Sequence, residues 1–499
     1  MHKFQLRKPI LAAMGACAAM GISPGIVLAD NAQDIQQLKD QVRVMQQKID
    51  DLSSSQPAPA KAAKAAPSDS LTFAGITLYG TVDIGVEYVS HGAPLSQLWS
   101  PGLPSYIQNF SNHSITSVNG NGLSQSKVGI SGVESLHFGD LTGIFRLETG
   151  FNPWSGRLVD GPGSLVQDNG KAAAVKISAG DSSRAGQILN GVAFAGISSK
   201  TYGTLTFGRQ NGLMLDLLNK YDPQLQAQAF SPISLSGMSG GLGDTQSNRL
   251  DNALKYVLQV GPGRVGYIHG FGSDGYVPQN SNEFTVGADF GGFSIDALYG
   301  LVHGEVAAAS LSAANVTALN TAPQPLPGWT ISNTLAATIS DNTGYSVQMS
   351  YNAKEFFPVK FYAGWERIKY NNPSHPIPVG SIDIGGYVLG VVNNTAYNIQ
   401  RIFVISWVGA RWSITPDFDL TAAGYAYNQK SYNANGCSNA SASTCAGELA
   451  DISLVADWHF TKRFDTYAGV NWSRVQNGLS AGFLQTSEYS PMVGVRFNF

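Results

Sequence analysis

Two pairs of ionisable residues lie on the polar faces of segments in which apolar and polar residues alternate. Asp83 and Glu87 form one pair, and Arg146 and Glu148 form the other. Neighbouring carboxylates can act as a general acid and base, whereas opposed charges across a narrow space can align dipolar solutes. Both pairs are also ordinary features of a polar wall, on which Arg146 and Glu148 would only bind one another. The residues alone leave these interpretations open.

No motif of a known catalytic chemistry accompanies these pairs. The chain contains no G-x-S-x-G elbow, no P-loop and no H-E-x-x-H sequence. Residues 261–266 (GPGRVG) match a dinucleotide fingerprint by their letters, but the strand-like sequence 267–269 follows them, which predicts a hairpin turn. The eight His are scattered singly. We therefore expect no cofactor, no metal site and no enzymatic activity; the rival class is an outer-membrane lipid hydrolase, which would need a Ser/His pair facing lipid.

The N-terminus has the features of a cleaved export signal. Lys3, Arg7 and Lys8 precede the apolar segment 10–26, and small residues end at Ala29, after which cleavage is expected. Cleavage would lower the count of Lys and Arg from 31 to 28 against 34 acidic residues, a net charge of -6. Such a charge gives no support to nucleic-acid binding. No later stretch approaches the roughly 18 apolar residues of a spanning helix.

Two cysteines remain after the signal is removed, and they lie close together in a Ser/Asn/Gly-rich stretch. An even number of cysteines in an oxidising compartment predicts a disulfide, here between Cys437 and Cys445. The loop that it closes is short, so its stabilisation should be modest. A metal site is the alternative, but no His lies nearby.

A helical segment and a linker follow the signal. Residues 30–52 place apolar side chains at a heptad spacing, with Asp34 and Lys39 at flanking positions; the apolar set is Ile35, Leu38, Val42, Met45, Ile49 and Leu52. This pattern predicts a short periplasmic coiled coil, with a single amphipathic helix as the alternative. The β-branched and Leu positions favour a dimer. Residues 53–70 are rich in Pro, Ala and Ser, which is typical of a linker.

From residue 71 to the end, the sequence alternates with a period of two. In segment 75–88 the apolar face consists of Ile76, Leu78, Val82, Ile84, Val86 and Tyr88, and the other face of Thr77, Tyr79, Thr81, Asp83 and Glu87. About sixteen such segments are joined alternately by short turns and long polar loops, which is the pattern of a transmembrane barrel. An exported chain that spans lipid with strands must close, because every backbone amide needs a partner. We therefore predict an all-β fold, a 16-stranded antiparallel barrel in the outer membrane, preceded by the short coiled coil.

At this point the chain resembles the general trimeric porins of Gram-negative bacteria. The similar segments are 77–80 (TLYG), 126–132 (SKVGISG), 198–209 (SSKTYGTLTFGR), 252–256 (NALKY), 460–463 (FTKR) and the terminal Phe499. The resemblance covers residues 71–499 and implies a 16-stranded barrel assembled as a homotrimer. It also implies an inward constriction loop after the fifth strand, here residues 210–248. The N-terminal helix resembles periplasmic extensions of some substrate-selective trimeric porins, and a trimeric barrel could override the dimer preference of its heptads.

The resemblance also implies where charged residues of the constriction lie. The basic wall would contain Lys127, Arg209 and Arg249, to which we add Arg146 from the polar face of the third strand. Arg209 has the wrong parity and would reach the lumen only through a bulge at Gly208. The acidic side would contain Glu148 on the wall and the loop residues Asp216, Asp222 and Asp244. The acidic loop motif of the family is missing, and Thr81 stands where the family often has another base.

The predicted function is passive diffusion of small hydrophilic solutes and ions through a water-filled pore. The wall bases favour anions, and the alternative is a substrate-selective channel for small carboxylates or other anions. An adhesin or tether built on the coiled coil is the further alternative, and it predicts no conductance. The expected partners are two further copies of the chain, outer-membrane lipid and lipopolysaccharide, the assembly machinery through Phe499, and peptidoglycan through residues 30–52.

Overall fold

The structure is a computed structural model that describes most of the chain after residue 70. The described residues are 71–98, 111–177, 184–233, 237–243, 248–272, 277, 279–321, 326, 328–433, 438–439, 444–480 and 484–499. The predicted signal peptide, coiled coil and linker lie outside them, as do Asp244 and Cys437. The Cys437–Cys445 disulfide therefore stays a prediction.

Sixteen strands of the described residues form the wall, a closed antiparallel barrel as the alternation predicted. The strands are β1 (Ile76–Val89), β2 (Lys127–Ser135), β3 (Thr142–Asn152), β4 (Ala193–Ser199), β5 (Gly203–Asn211), β6 (Arg249–Val260), β7 (Gly263–Gly270), β8 (Ser281–Phe290), β9 (Phe293–Ala309), β10 (Thr334–Asn352), β11 (Val359–Asn371), β12 (Arg401–Thr415), β13 (Phe418–Gln429), β14 (Gly447–His459), β15 (Phe464–Asn477) and β16 (Ser487–Asn498). Each strand pairs with its neighbours in sequence.

The barrel closes where the two ends of the wall meet. β16 pairs with β1 from Thr81↔Asn498 to Glu87↔Met492. Beyond Asn498, the amide of Phe499 donates to the Gly80 carbonyl, and the amide of Gly80 donates back to the Phe499 carbonyl, both at 3.0 Å. The short strand Leu71–Phe73 then continues the pairing along β1 past the chain end. No edge of β1 is left open over this length, which removes the main hazard of an exposed sheet.

The two faces of the strands differ as their alternating sequences require. On β1, Asp83 and Glu87 are buried inside the barrel, whereas Val86 on the opposite face is 53% exposed. On β16, Val493 is 60% exposed, while Glu488 is buried on the inner face. Outward apolar and inward polar residues are what a lipid-spanning barrel needs, because only the inner face can offer polar partners.

The second wall strand is interrupted by a short excursion into the barrel. The strand Ile115–Gly120 pairs with the upper half of β1, and β2 pairs with the lower half. Between them, the carboxylate of Asp83 accepts the backbone amides of Gly122, Leu123 and Ser124 at 3.1, 2.8 and 2.9 Å, and the hydroxyl of Tyr467 at 2.6 Å. Asp83 therefore holds the excursion in place, which is a structural role for one of the paired carboxylates.

Short turns lie at one end of the barrel and long segments with additional structure at the other. The additional helices are α1 (Gly161–Val166), α2 (Leu213–Tyr221), α3 (Gly237–Gly240) and α4 (Ala313–Thr321), with 3-10 turns at Ala173–Val175 and Ile331–Asn333 and short strands at Arg157–Leu158 and Val388–Asn393. None of the described helices is both long and apolar enough to cross a membrane.

The segment after β5 contacts inward-facing residues of distant strands. Tyr221, at the end of α2, donates its hydroxyl to Asp296 of β9 at 2.6 Å, and its carbonyl accepts the indole N–H of Trp407 at 3.1 Å. Further along, the Ala229 amide donates to the carbonyl of Gly122, beside β1. The segment thus extends through the lumen from one side of the wall to the other.

An apolar core lies between this segment and the wall from β6 to β15. Met214, Leu218 and Tyr221 of α2 are fully buried, and they belong to one cluster with inward residues of the wall such as Ile268 and Ile405. Burial of this kind contributes about 25 cal/mol for each Å² of apolar surface removed from water. The segment is therefore packed against the inner face of the wall over much of this range.

The closing seam generates a first prediction. A methyl group at Gly80 would overlap the ring of Phe499 and lie 2.8 Å from the Lys127 carbonyl oxygen. We expect Gly80→Ala to destabilise the refolded barrel by about 1–3 kcal/mol through overpacking, measured by urea unfolding in lipid. Gly424→Ala is the control, because its nearest neighbour is the Asp451 carbonyl oxygen at 3.9 Å. Equal stability of the two variants would contradict the seam as described.

The anchoring of the inward segment generates a second prediction. The hydroxyl of Tyr425 donates to the buried carboxyl of Asp222 at 2.7 Å. Burial raises the pKa of Asp222 above its ordinary value, and the Tyr425 hydrogen bond opposes this rise. We expect Tyr425→Phe to cost roughly 1.5–3 kcal/mol of unfolding free energy, the usual range for hydrogen bonds to charged groups.

The loss of unfolding free energy in Tyr425→Phe should be larger at pH 8 than at pH 4. A buried acid with a raised pKa costs stability as the pH rises through that pKa, and without its donor Asp222 would cost more when ionised. Tyr427→Phe on the same strand is the control, since its hydroxyl lies 3.2 Å from that of Ser239, an uncharged partner. A pH-independent loss in Tyr425→Phe would argue against an ionised Asp222.

Candidate functional site

Neighbouring strands bring three of the proposed charged residues together. β2 and β3 pair so that Lys127 lies opposite Gly150 and Ser131 opposite Arg146. Because alternate residues share a face, Lys127, Arg146 and Glu148 all project into the barrel. The short residues opposite them leave room for long side chains. The alternation of β2 and β3 is thus sufficient to place this part of the site.

Glu148 is the centre of the cluster. The residue is 3% exposed, and its carboxylate lies 2.8 Å from Arg146 Nη2 and 3.4 Å from Lys127 Nζ, both through Oε2. Tyr79 of β1 supports this arrangement, because its hydroxyl accepts from Arg146 Nε at 2.6 Å and its ring lies 4.9 Å below the Arg146 guanidinium. Arg146 and Glu148 therefore form an ion pair, and this pair is part of a larger cluster of charged residues.

A further cation, Arg184, comes from the long segment between β3 and β4. Its Nη2 lies 3.5 Å from Glu148 Oε1, and its Nη1 donates to Asn190 Oδ1 at 3.1 Å. Burial lowers the pKa of the Arg184 guanidinium, and the charge of Glu148 opposes this shift. Sequence reasoning missed Arg184, because nothing in the spacing of a long polar loop indicates that one of its residues returns to the wall.

Arg249 and Arg209 lie at the start of β6 and at the end of β5. Arg249 lines the same cavity and is close enough to Glu148 and Arg184 for electrostatic interaction. Arg209 follows Gly208, which has a φ of +122° and marks a register shift between β5 and β6. The bulge turns Arg209 inward, where it donates to the Gly191 carbonyl at 2.9 Å and forms a 2.6 Å ion pair with Asp251. Arg209 therefore lies beside the cluster and is neutralised locally.

The cluster borders a cavity of about 360 Å³. Lys127, Arg146, Arg184 and Arg249 are the cations in its lining and Glu148 the anion, so these five residues carry a net charge of +3. Asn211 at the end of β5 and four residues of the inward segment contribute an uncharged side of the cavity; those of the segment are Asn219, Leu225, Gln226 and Gln228. Within the described part of the chain, the buried Gln226 Nε2 has no hydrogen-bond partner. Ammonium, guanidinium and amide donors thus dominate this space, which favours ligands rich in acceptor oxygens.

The acidic residues proposed on the inward segment are not in the cavity lining. Asp216 binds Lys255 Nζ and accepts from Asn211 Nδ2 at 3.2 Å. Asp222 accepts the backbone amide of Gln226 at 2.8 Å in addition to the Tyr425 hydroxyl. Both carboxylates therefore hold α2 and the following turn in place. Asp244 lies outside the described residues.

One further cluster of described residues has the spacing of a metal site. Asp457, His459 and Asp465 lie near the short-turn end of β14 and β15. The ring nitrogens of His459 are 2.8 Å from Asp465 and 3.1 Å from Asp419, and Arg496 Nη2 is 2.6 Å from Asp465. Asp457 and Asp465 thus already have a cationic partner in Arg496.

Solved structures of other barrels are similar to this chain. The anion-selective porin from Comamonas acidovorans is 16% identical, with a TM-score of 0.53, and the match covers 85% of this chain and 99% of that one. OmpT of Vibrio cholerae, as a loop-deletion mutant and as the in-vitro folded trimer form, is 12% identical with TM-scores of 0.53 and 0.52; both matches cover 85% and 99%. At these identities the likeness shows the fold. No curated protein matches significantly in sequence.

The sequence itself matches a known family over most of its length. The description of that family is Gram-negative porin, and the match spans residues 55–478. This range includes β1 to β15 and all the residues that line the charged cavity. The chain belongs to the Gram-negative porin family and is an outer-membrane channel protein.

Proposed function

We propose that the protein is a homotrimeric pore that prefers anions and that the Glu148 cluster is its constriction. The observation that carries this proposal is the excess of cations around the cavity, four against one carboxylate. The apolar core between α2 and the wall from β6 to β15 supports it further, because it fills part of the lumen. An ion that crosses the barrel would then pass beside a net positive charge.

The physical basis is electrostatic. Fixed charge on a low-dielectric wall raises the local concentration of counter-ions and lowers the energy of an anion in the passage. Lys127 and Arg146 are 31% and 41% exposed at their side chains, so both are accessible to a passing solute. The family places the protein among channels rather than enzymes, and the inward acids that would balance the cations hold the loop instead.

The narrower alternative is a substrate-selective channel for small carboxylates. One observation favours it: the surface opposite the cations is made of amides rather than acids. Amides and guanidinium groups together can bind both oxygens of a carboxylate. A general anion-preferring pore and a carboxylate channel differ in whether carboxylates reduce chloride current at low concentration, which a bilayer recording measures directly.

The charge preference generates a third prediction. We expect Lys127→Gln and Arg249→Gln each to lower the anion-to-cation permeability ratio, because each removes one positive charge from the cavity wall. The measurement is the reversal potential of single channels in a KCl gradient. The effect should be larger at 0.05 M salt than at 1 M, since the Debye length falls to about 3 Å at 1 M.

Lys462→Gln is the matched control for these variants. Lys462 is exposed in the short turn between β14 and β15. Its substitution by Gln removes the same positive charge, but at a site away from the cavity. Its reversal potential should equal that of the unmodified protein. If wild-type protein gives no conductance, the pore itself is refuted; if both cavity variants match Lys462→Gln, the constriction assignment is refuted.

The proposed homotrimer generates a fourth prediction, which concerns the mass of the assembled protein. Its support is that the family resemblance implies trimers and that a structurally similar protein, OmpT of Vibrio cholerae, has been solved as a trimer form. We expect the detergent-solubilised protein, after subtraction of bound detergent, to have about three times the mass of one mature chain in light scattering. A single-chain mass under conditions that preserve conductance would contradict the proposal.

A further inference from the structure

We propose that Arg184 is a specificity-determining residue of this channel, supplied by a loop rather than by the wall. It neutralises Glu148 and so leaves the positive charge of Lys127, Arg146 and Arg249 available to the solute. This inference rests on the proposed anion preference. It goes further in assigning part of that preference to a segment outside the barrel strands.

The contacts of Arg184 place it within the wall cluster. The residue is 2% exposed, and its guanidinium faces Glu148 Oε1, whereas Lys127 and Arg146 contact Oε2. The two oxygens of Glu148 are thus divided between the wall and the loop. Asn190 fixes the other side of the guanidinium and itself donates to the carbonyls of Gly150 and Val159, both at 3.0 Å.

Two glycines provide the space for this side chain. A methyl group at Gly150 would lie 2.9 Å from both Cζ and Nε of Arg184, and one at Gly191 would lie 2.7 Å from its Nη1. Both distances are shorter than those that Cβ atoms of side chains make with neighbouring atoms in proteins. The backbone of β3 and of the segment before β4 therefore forms a slot for the Arg184 guanidinium. The slot exists only because Gly150 and Gly191 have no side chains.

The segment that carries Arg184 is also fixed at its far side. The Asn169 side chain donates to the Thr334 carbonyl at 2.7 Å and accepts the Leu311 amide at 2.7 Å, and the hydroxyl of Ser310 donates to the Leu165 carbonyl at 2.6 Å. These partners belong to β10 and to the segment before it, seven strands from β3 in a ring of sixteen. The segment therefore reaches the opposite side of the barrel.

A second link ties the segment to the region before β12. The hydroxyl of Tyr387 donates to Asp160 Oδ2 at 2.5 Å, and the Gly163 amide donates to Asp160 Oδ1 at 2.8 Å. Closer to Arg184, its own carbonyl accepts the Gly161 amide at 2.9 Å. Arg184 is thus held by contacts on both sides of the barrel, which gives its charge a fixed position, as a selectivity determinant requires.

The electrostatic consequence can be stated as a balance of charges. With Arg184 present, the cavity lining has a net charge of +3; without its charge the value is +2, and Glu148 Oε1 loses its cationic partner. One unit charge about 8 Å from an ion in water, screened over a Debye length of about 10 Å at 0.1 M salt, changes the occupancies of an anion and of a cation roughly 1.5-fold each, in opposite directions. Removal of Arg184 should thus lower the anion-to-cation permeability ratio about twofold at this salt concentration.

Four variants test this assignment in single-channel recordings at 0.1 M KCl. We expect Arg184→Gln to lower the permeability ratio about twofold and Glu148→Gln to raise it. The double variant should return close to the wild-type ratio, because it restores the net charge of the cavity, and Arg184→Lys should retain the ratio. Arg157→Gln is the matched control, since Arg157 is an exposed arginine of the same segment.

The outcomes separate this inference from the proposed function. If Glu148→Gln raises the ratio but Arg184→Gln equals Arg157→Gln, Arg184 has no role in selectivity and only the inference fails. If Arg184→Gln changes the ratio and the double variant does not restore it, Arg184 acts by holding the loop, which also overturns the inference. If Lys127→Gln and Glu148→Gln leave the ratio unchanged, the proposed function fails instead.

A fifth variant moves the guanidinium without removing its charge. The three nearest atoms to a methyl group at Gly150 all belong to the Arg184 side chain, so Gly150→Ala should displace that side chain and leave the backbone in place. We expect a ratio between those of wild type and Arg184→Gln. A wild-type ratio in Gly150→Ala would show that the position of the guanidinium does not matter, contrary to the proposal.

Discussion

The pairing of every backbone amide within the wall is the constraint on which the rest of this structure depends. Hydrocarbon offers no hydrogen bonds, so a sheet that spans it has to close on itself. Here closure is achieved by β16 and β1, and the reciprocal bonds between Gly80 and Phe499 complete it at the very end of the chain. The closed wall then forces alternate residues inward, which is why charged side chains from β2, β3 and β6 meet in one space.

Much of the fold was predictable from the sequence because strand alternation is a local signal. The apolar and polar faces of β1 could be assigned from residues 76–88, and the number of strands followed from the same pattern repeated. The same reasoning identified Arg146 and Glu148, since their parity on β3 decides which way they project, whereas Lys127 was proposed from the family resemblance. The sequence also indicated that Arg209 could face the lumen only through a bulge at Gly208. The structure has such a bulge, at which Gly208 adopts a positive φ.

The remaining features depend on contacts that have no local signature. Arg184 lies thirty-six residues from Glu148, and its approach depends on Asn190 and two glycines rather than on a repeat. Asp216 and Asp222 have the charge expected of a constriction, but Lys255 and Tyr425 bind them, and neither partner could be identified without the tertiary arrangement. The apolar core inside the lumen likewise depends on where α2 packs.

The packing of α2 has a consequence for how such a channel can change over time. In a barrel filled only with water, loop residues can be replaced to widen the passage with little effect on the wall. Here Met214, Leu218 and Tyr221 are buried among the side chains of several strands, so enlarging the passage from that side would remove part of the apolar core. Substitutions that widen the passage on this side would therefore also lower the stability of the barrel. Bacteria selected for uptake of a larger nutrient would have to tolerate that loss of stability.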